Sequence, residues 1–240
     1  MKISKVILAC TNDHYYDYYE VVSKAWKELG IQPVLFLIGD QESNKKDVID
    51  IRVDNIDKVF ASQAIRLLGP ALFREENCII SDIDMMPMSD NYFVESLKNI
   101  AEGKFVLMRD GVTSNNMYPI CYNIAKGKIW EQIFEVDSIK SINLKLIHWF
   151  EKYFNNVENN WYIDQIILKK KLDKFYKDRE SNFIKLNDKD TNFLRLNRTD
   201  LGPRFKKFYN PLEEYTDFHM PIPYKKNKKI ITKVFNLNFE

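Results

Sequence analysis

Val6-Ile7-Leu8-Ala9-Cys10 is an unbroken apolar run, the mark of a short strand covered on both faces. Thr11-Asn12-Asp13 ends it. From Tyr15 the apolar residues recur at three- and four-residue spacing through Tyr18, Val22, Ala25, Trp26 and Leu29. That period predicts a helix, and Gly30 closes it. Val34-Leu35-Phe36-Leu37-Ile38 predicts a second buried strand, stopped at Gly39-Asp40. Strand, helix, strand is the opening of a parallel sheet.

Residues 41–50 are polar and read as a loop, with Ile51-Arg52-Val53 as a short strand after it. Val59 to Leu68 has helical spacing and breaks at Gly69-Pro70. Cys78-Ile79-Ile80 is a third buried strand that runs directly into Ser81-Asp82-Ile83-Asp84. Farther on, Phe105 to Met108 and Ile120 to Ala125 predict strands, and Ile142 to Phe154 and Tyr162 to Leu172 predict helices. From about residue 195 the chain reads as loop, with Pro203, Pro211, Pro221 and Pro223 in it. Neither an internal repeat nor a linker interrupts residues 1–240. One α/β domain with a mostly parallel central sheet flanked by helices is expected, more regular over 1–100 than over 101–240.

Composition narrows the functional classes. Hydrophobic residues make up 45% and charged residues 29%, enough to bury a core and too apolar for a disordered chain. The 36 basic residues are nearly balanced by 34 acidic ones, which argues against a protein that coats nucleic acid. Aromatics reach 14%; most belong to the core, and some can stack on sugar or base faces. Cys10, Cys78 and Cys121 are odd in number and widely spaced, so neither a disulfide framework nor a zinc site is expected. With no apolar stretch of about 18 residues and no leader-like start, a cytoplasmic location is expected. The Lys225–Lys229 cluster reads as a solvated turn; peripheral contact with an anionic membrane is the other reading.

The chemistry concentrates where the third strand ends. In extended backbone, residues two apart project to the same side, so Asp82 and Asp84 are expected to face one point. Two such anions need a cation between them, and hard oxygen ligands suit Mg²⁺ or Mn²⁺ completed by substrate phosphates. Ligands of open α/β sheets bind outside the carboxyl ends of the strands. The competing reading is a turn capped by acidic residues.

The stretch Ala64-Ile65-Arg66-Leu67-Leu68-Gly69-Pro70, followed by Cys78-Ile79-Ile80-Ser81-Asp82-Ile83-Asp84, resembles the donor-site signature of GT-A glycosyltransferases. The pattern is similar to that of the family 8-like and small virus-type GT-A enzymes. Cys121-Tyr122-Asn123-Ile124-Ala125 looks like the strand beside the donor sugar. Tyr162-Ile163-Asp164-Gln165 is similar to the "DQ" helix start, and Phe218-His219-Met220-Pro221 stands where a C-terminal histidine supplies a third metal ligand.

This resemblance implies a single GT-A domain. Residues 1–100 form its nucleotide-sugar half and residues 101–240 its acceptor half. It implies transfer of a sugar from a nucleotide-sugar donor, preferably UDP-linked, to a hydroxyl of a glycan or other acceptor. Asp82, Asp84 and His219 would hold Mn²⁺ or Mg²⁺. Thr11, Asn12 and Asp13 would border the uracil and ribose, although Asn12 or Asp13 also suits a helix N-cap. Tyr16, off the apolar face of the first helix, could reach the base. Ser62 and Arg66 lie four apart on one helix face, and a guanidinium matches phosphate oxygens. Ile83 sits between the two aspartates, and Lys225 could add positive charge at the leaving diphosphate. Asp164, kept ionised by a helix N-terminus, is expected either as a general base or as a holder of sugar hydroxyls. Together with Asp84 it forms the expected catalytic pair.

Three alternatives share some of these features. A phosphatase of the HAD type also places DxD after an apolar strand, but here Met85-Met86 follow and two strands precede. A nucleotidyltransferase needs a glycine-rich loop after the first strand, and Thr11-Asn12-Asp13-His14-Tyr15 has none. A catalytically inactive nucleotide-sugar or glycan-binding module is the remaining one.

Overall fold

The apolar runs of the first half pair side by side as the period predicts. A computed structural model describes residues 1–11, 15–40, 42–114, 116–154, 160–201 and 211–239. Strand β1 (Lys5–Thr11) pairs in parallel with β2 (Gln32–Ile38) on one side and with β4 (Asn77–Ile80) on the other. Strand β3 (Val48–Ile51) adds to the outer edge of β2. Beyond β4 lie β7 (Asn123–Lys126), β6 (Phe105–Leu107) and β8 (Phe183–Lys185), giving the order β3-β2-β1-β4-β7-β6-β8. Within it β7 runs antiparallel to both neighbours. Val6, Ile7, Leu8, Leu35, Phe36, Cys78, Ile79 and Ile80 are buried without exception, as strands covered on both faces require.

Helix α1 (Tyr19–Glu28) follows β1 and puts Val22, Ala25 and Trp26 into the core, and Gly30 ends it at a φ of +72°. Helix α2 (Lys58–Leu68) is capped by Asp57, whose carboxylate accepts the Phe60 N–H at 2.7 Å, and it packs across β1 and β2. Later in the chain come the short α3 (Asp90–Phe93), then α4 (Gly127–Phe134), α5 (Ile139–Tyr153) and α6 (Ile163–Tyr176), the last three packed against α2. A second, three-stranded sheet joins β5 (Met85–Pro87), β10 (Asp217–His219) and β9 (Arg195–Leu196), with β10 in the middle.

Four elements differ from expectation. The edge strand lies at Val48–Ile51 rather than Ile51–Val53, because pairing with Leu35–Ile38 fixes it and an edge tolerates its polar Asp50. The strand expected over Ile120–Ala125 begins only at Asn123. There the side-chain amide donates to the Pro119 and Ile120 carbonyls at 2.8 Å each and turns the chain away from the ladder. Asp82-Ile83-Asp84 is a turn closed by Met85 N–H on the Asp82 carbonyl at 3.2 Å, not extended backbone, so its two side chains are free to diverge. The tail is not all loop. Helix α7 (Tyr224–Phe239) buries Ile231 and Val234, a stripe too narrow to show through its lysines, and the Lys225–Lys229 cluster lies on its first turns.

Helix α4 begins where Gly127 donates its N–H to the Glu76 carbonyl at 2.9 Å. A Cβ at Gly127 would come within 2.1 Å of the Phe73 carbonyl oxygen and 2.7 Å of the Pro70 oxygen, and neither backbone group can swing aside. Gly127→Ala is therefore expected to cost about 1–3 kcal/mol of stability by overpacking. Urea denaturation measures it, and an unchanged midpoint would contradict the tight approach of α4 to the loop before β4.

Candidate active site

Asp84 leaves β4 at its carboxyl end, and the second sheet decides what it meets. Strand β10 pairs antiparallel with β5 in a register that sets His219 opposite Met85, and Met220 N–H donates to the Asp84 carbonyl at 2.9 Å. His219 Nε2 thereby lies 3.5 Å from Asp84 Oδ2. Arg198, on the short turn after β9, donates from Nη2 to the same oxygen at 2.6 Å. Burial pushes the His219 pKa down to about 4, against the opposing pull of Asp84, so its imidazole is neutral at physiological pH. Tyr15 borders the group; burial and Asp84 raise the pKa of its phenol, and Arg198 lowers it.

Asp82 faces the other way. Arg66 reaches inward from α2 and pairs through Nη1 with Asp82 and through Nη2 with Asp164 at 2.9 Å. The Arg66 side chain is 8% exposed and that of Asp164 2%. Arg66 is thus a buried bridge between two carboxylates. Cys121 completes the group: its thiol donates to Asp82 Oδ2 at 3.1 Å and its sulfur accepts the Asp82 N–H at 3.1 Å. Burial pushes the Cys121 pKa up to about 12, which keeps it a thiol donor.

Asp164 stands at the start of α6 as the sequence predicts, yet its pKa is raised, not lowered. Burial outweighs the Arg66 charge and the N–H of Gln165 at 2.8 Å. Burial thus opposes the ionised form that the helix N-terminus was expected to favour.

A third ion pair closes the far side. Arg195 donates from Nε and Nη2 to Asp217 at 2.8 and 2.6 Å, and Tyr122 donates its hydroxyl to Asp217 Oδ2 at 2.6 Å. Asp217 and Tyr122 are fully buried. Burial works against the Arg195 charge, but Asp217 outweighs it and raises the pKa.

The other predicted residues scatter around this centre. Thr11 ends β1 opposite Ile38 and is half-buried, while Asn12 and Asp13 lie outside the described residues. Tyr16 stacks on Tyr19 at 6.5 Å with the Lys45 ammonium 5.3 Å above its ring. Ser62 donates to the Val59 carbonyl of its own helix at 2.8 Å. Ile83 is buried in the turn between the aspartates. Lys225 sits at the start of α7, 84% exposed, 3.7 Å from Asp17. Sequence reasoning missed Tyr15, Tyr122, Arg195, Arg198 and Asp217. The only local trace of the two arginines is their three-residue spacing, which carries no chemistry by itself.

The donor set at Asp84 and His219 fits a hard divalent cation in two of its three predicted positions. A carboxylate oxygen and a neutral imidazole nitrogen meet there, and Mg²⁺ or Mn²⁺ takes few protein ligands when phosphates supply the rest. Asp82 is drawn off by Arg66, so among the described residues no three His, Cys, Asp or Glu side chains converge closely enough to hold an ion.

Removing one partner of a buried ion pair strands the other. Arg66→Met keeps the apolar stem but leaves Asp164 and Asp82 unpaired, and should cost about 3–5 kcal/mol of stability. Chemical denaturation tests this; a loss below about 1 kcal/mol would show that water or a neighbour replaces the guanidinium.

No protein-family model and no curated protein matches this sequence. Solved structures do. The whole chain superposes on the glycosyltransferase GlyE of Streptococcus pneumoniae TIGR4 with a TM-score of 0.52 at 16% identity, and its apo form gives the same values. The chain spans 61% of the length of GlyE. A glycosyltransferase involved in the glycosylation of the major capsid of PBCV-1 aligns over 94% of this chain and 99% of its own, at a TM-score of 0.48 and 8% identity. The likeness to GlyE is one of fold: the chain has a GT-A-like α/β architecture, the one its arginine helix and strand-terminal aspartates had suggested.

Proposed function

We propose that this protein transfers a sugar from a nucleotide-sugar donor, of the UDP class, to a hydroxyl of a glycan acceptor, with Mn²⁺ or Mg²⁺ held by Asp84 and His219. The observation that carries the reading is the meeting of Asp84 and His219, 135 residues apart in sequence, at the carboxyl end of β4. A cation bound there would neutralise charge building on the leaving diphosphate. Asp84 and His219 would hold that cation in place, and the β5–β10 pairing fixes their separation.

Asp82 would complete the donor side through its backbone and its Arg66-held carboxylate, with Ile83 shaping the turn. Thr11, Asn12, Asp13 and Tyr16 would border the nucleoside, beyond the end of β1, with Ser62 on the flank of α2. Lys225, exposed on α7, is too committed to solvent to be assigned a contact beyond general positive charge near the donor. Asp164 is given a positioning role in place of the base. At 2% exposure it stands behind Arg66, and it supplies the counter-charge that holds Arg66 on Asp82. Trp161, 57% exposed and three residues before Asp164, offers an acceptor sugar an aromatic face.

The test is release of nucleoside diphosphate from a panel of UDP- and GDP-sugars with Mn²⁺, Mg²⁺ or EDTA. Slow release from one UDP-sugar is expected, abolished by EDTA and reduced about 100-fold or more in Asp84→Ala. Release from no donor, or release indifferent to EDTA and to Asp84, would refute the proposal.

A further inference from the structure

Three arginines serve the carboxylates of this site, and they are not bound alike. Arg195 uses Nε and Nη2 together on Asp217, a two-point fork at 2.8 and 2.6 Å. Arg66 is shared between Asp82 and Asp164, and its Nε donates to the Gln63 carbonyl at 3.4 Å. Arg198 donates to Asp84 through Nη2 and also hydrogen-bonds the Tyr15 side chain, while its buried Nε makes no hydrogen bond to any described residue. A buried donor without a partner is costly. Among the described residues Arg198 is the one of the three whose Nε is buried without a partner.

Its position also conflicts with the cation. Arg198 Nη2 and His219 Nε2 both address Asp84 Oδ2, at 2.6 and 3.5 Å. A Mn²⁺ or Mg²⁺ on that oxygen would sit at about 2.1 Å. Two cations on one oxygen repel, and in a partly buried site the repulsion is weakly screened. The backbone under Arg198 is meanwhile fixed: Asn197 N–H donates to Asp200 Oδ2 and Asp200 N–H to the Asn197 carbonyl, each at 2.9 Å. The long side chain can turn while its base stays put.

We infer that Arg198 is an exchangeable counter-ion, which leaves Asp84 when the divalent cation binds and takes up the donor diphosphate with the Nη and Nε donors that Asp84 alone does not satisfy. This rests on the reading of Asp84 and His219 as the cation site. A diphosphate fits the freed guanidinium because it offers adjacent oxygens to a two-point fork. Arg198 is in this account a donor-binding residue that doubles as a guard of the empty site. It lowers affinity for free metal and raises affinity for the metal with its nucleotide.

The two effects have opposite signs, which separates them from a merely structural role. Mn²⁺ binding to the full chain is followed by electron paramagnetic resonance of the free ion, and UDP binding at saturating Mn²⁺ by calorimetry. Arg198→Gln should bind Mn²⁺ alone about 10-fold more tightly and UDP about 10-fold more weakly than the wild type. Arg198→Lys, which keeps the charge and loses the fork, should leave Mn²⁺ affinity near the wild-type value and still weaken UDP. Circular dichroism establishes that each variant is folded, and Arg198→Lys carries the test if Arg198→Gln is not. Equal Mn²⁺ affinity in wild type and Arg198→Gln, with Asp84→Asn abolishing binding in both, would overturn the exchange and leave the cation site standing. Absence of Mn²⁺ binding in every variant, with and without UDP, would overturn both.

Discussion

Four carboxylates crowd the region beyond β4, and balancing their charge is the constraint on which the site is built. Asp84, Asp164 and Asp217 are buried, and Asp82 is 28% exposed. Each unpaired anion in such a place would cost several kcal/mol. The chain answers with Arg66 between Asp82 and Asp164, Arg195 on Asp217 and Arg198 on Asp84. Among the described residues it is at Asp84 that a neutral imidazole also faces the carboxylate, and there the compensating guanidinium makes one hydrogen bond to the carboxylate. On the proposed function, the same need for a positive partner that stabilises three of these carboxylates would make the fourth a place for an exchangeable cation.

The topology delivers these partners from far along the chain. Arg66 and Asp164 are 98 residues apart and Arg198 and Asp84 are 114 apart. Parallel β1, β2 and β4 set the carboxyl edge, and α2 lies across β1 and β2, which brings Arg66 inward to Asp82. The small β5-β10-β9 sheet then carries His219, Arg195 and Arg198 back to that edge. It is a short sheet of two- and three-residue strands, yet its register alone determines that His219 rather than Phe218 faces Asp84. Cys121, behind the Asp82 turn, fixes that turn from below with a thiol too weakly acidic to ionise.

How much of this could be read from the chain depended on whether a signal was local. Val6–Cys10, Val34–Ile38 and Cys78–Ile80 were legible as strands because burial on both faces leaves a continuous apolar run, and Tyr19–Glu28 as a helix because only one face is buried. Helix α7 was not, since Ile231 and Val234 are its only fully buried residues among lysines and asparagines. The aspartate pair was visible but its conformation was not: a two-residue spacing cannot distinguish a strand end from the turn closed by Met85. Arg66, Asp164 and His219 were found as residues through a resemblance, while their pairing with one another and with the two aspartates was not, because an ion pair across a hundred residues leaves no trace in spacing. Arg195, Arg198, Tyr122 and Asp217 belong wholly to that second class.

The account stands or falls on where a divalent ion goes. Crystals of the protein grown with UDP and Mn²⁺, with diffraction recorded at a wavelength where manganese scatters anomalously, measure this directly. The account predicts one strong anomalous peak within bonding distance of Asp84 and His219, with Arg198 turned from Asp84 to the diphosphate. Bound UDP with no manganese peak at Asp84, or a peak coordinated by other residues, would contradict it.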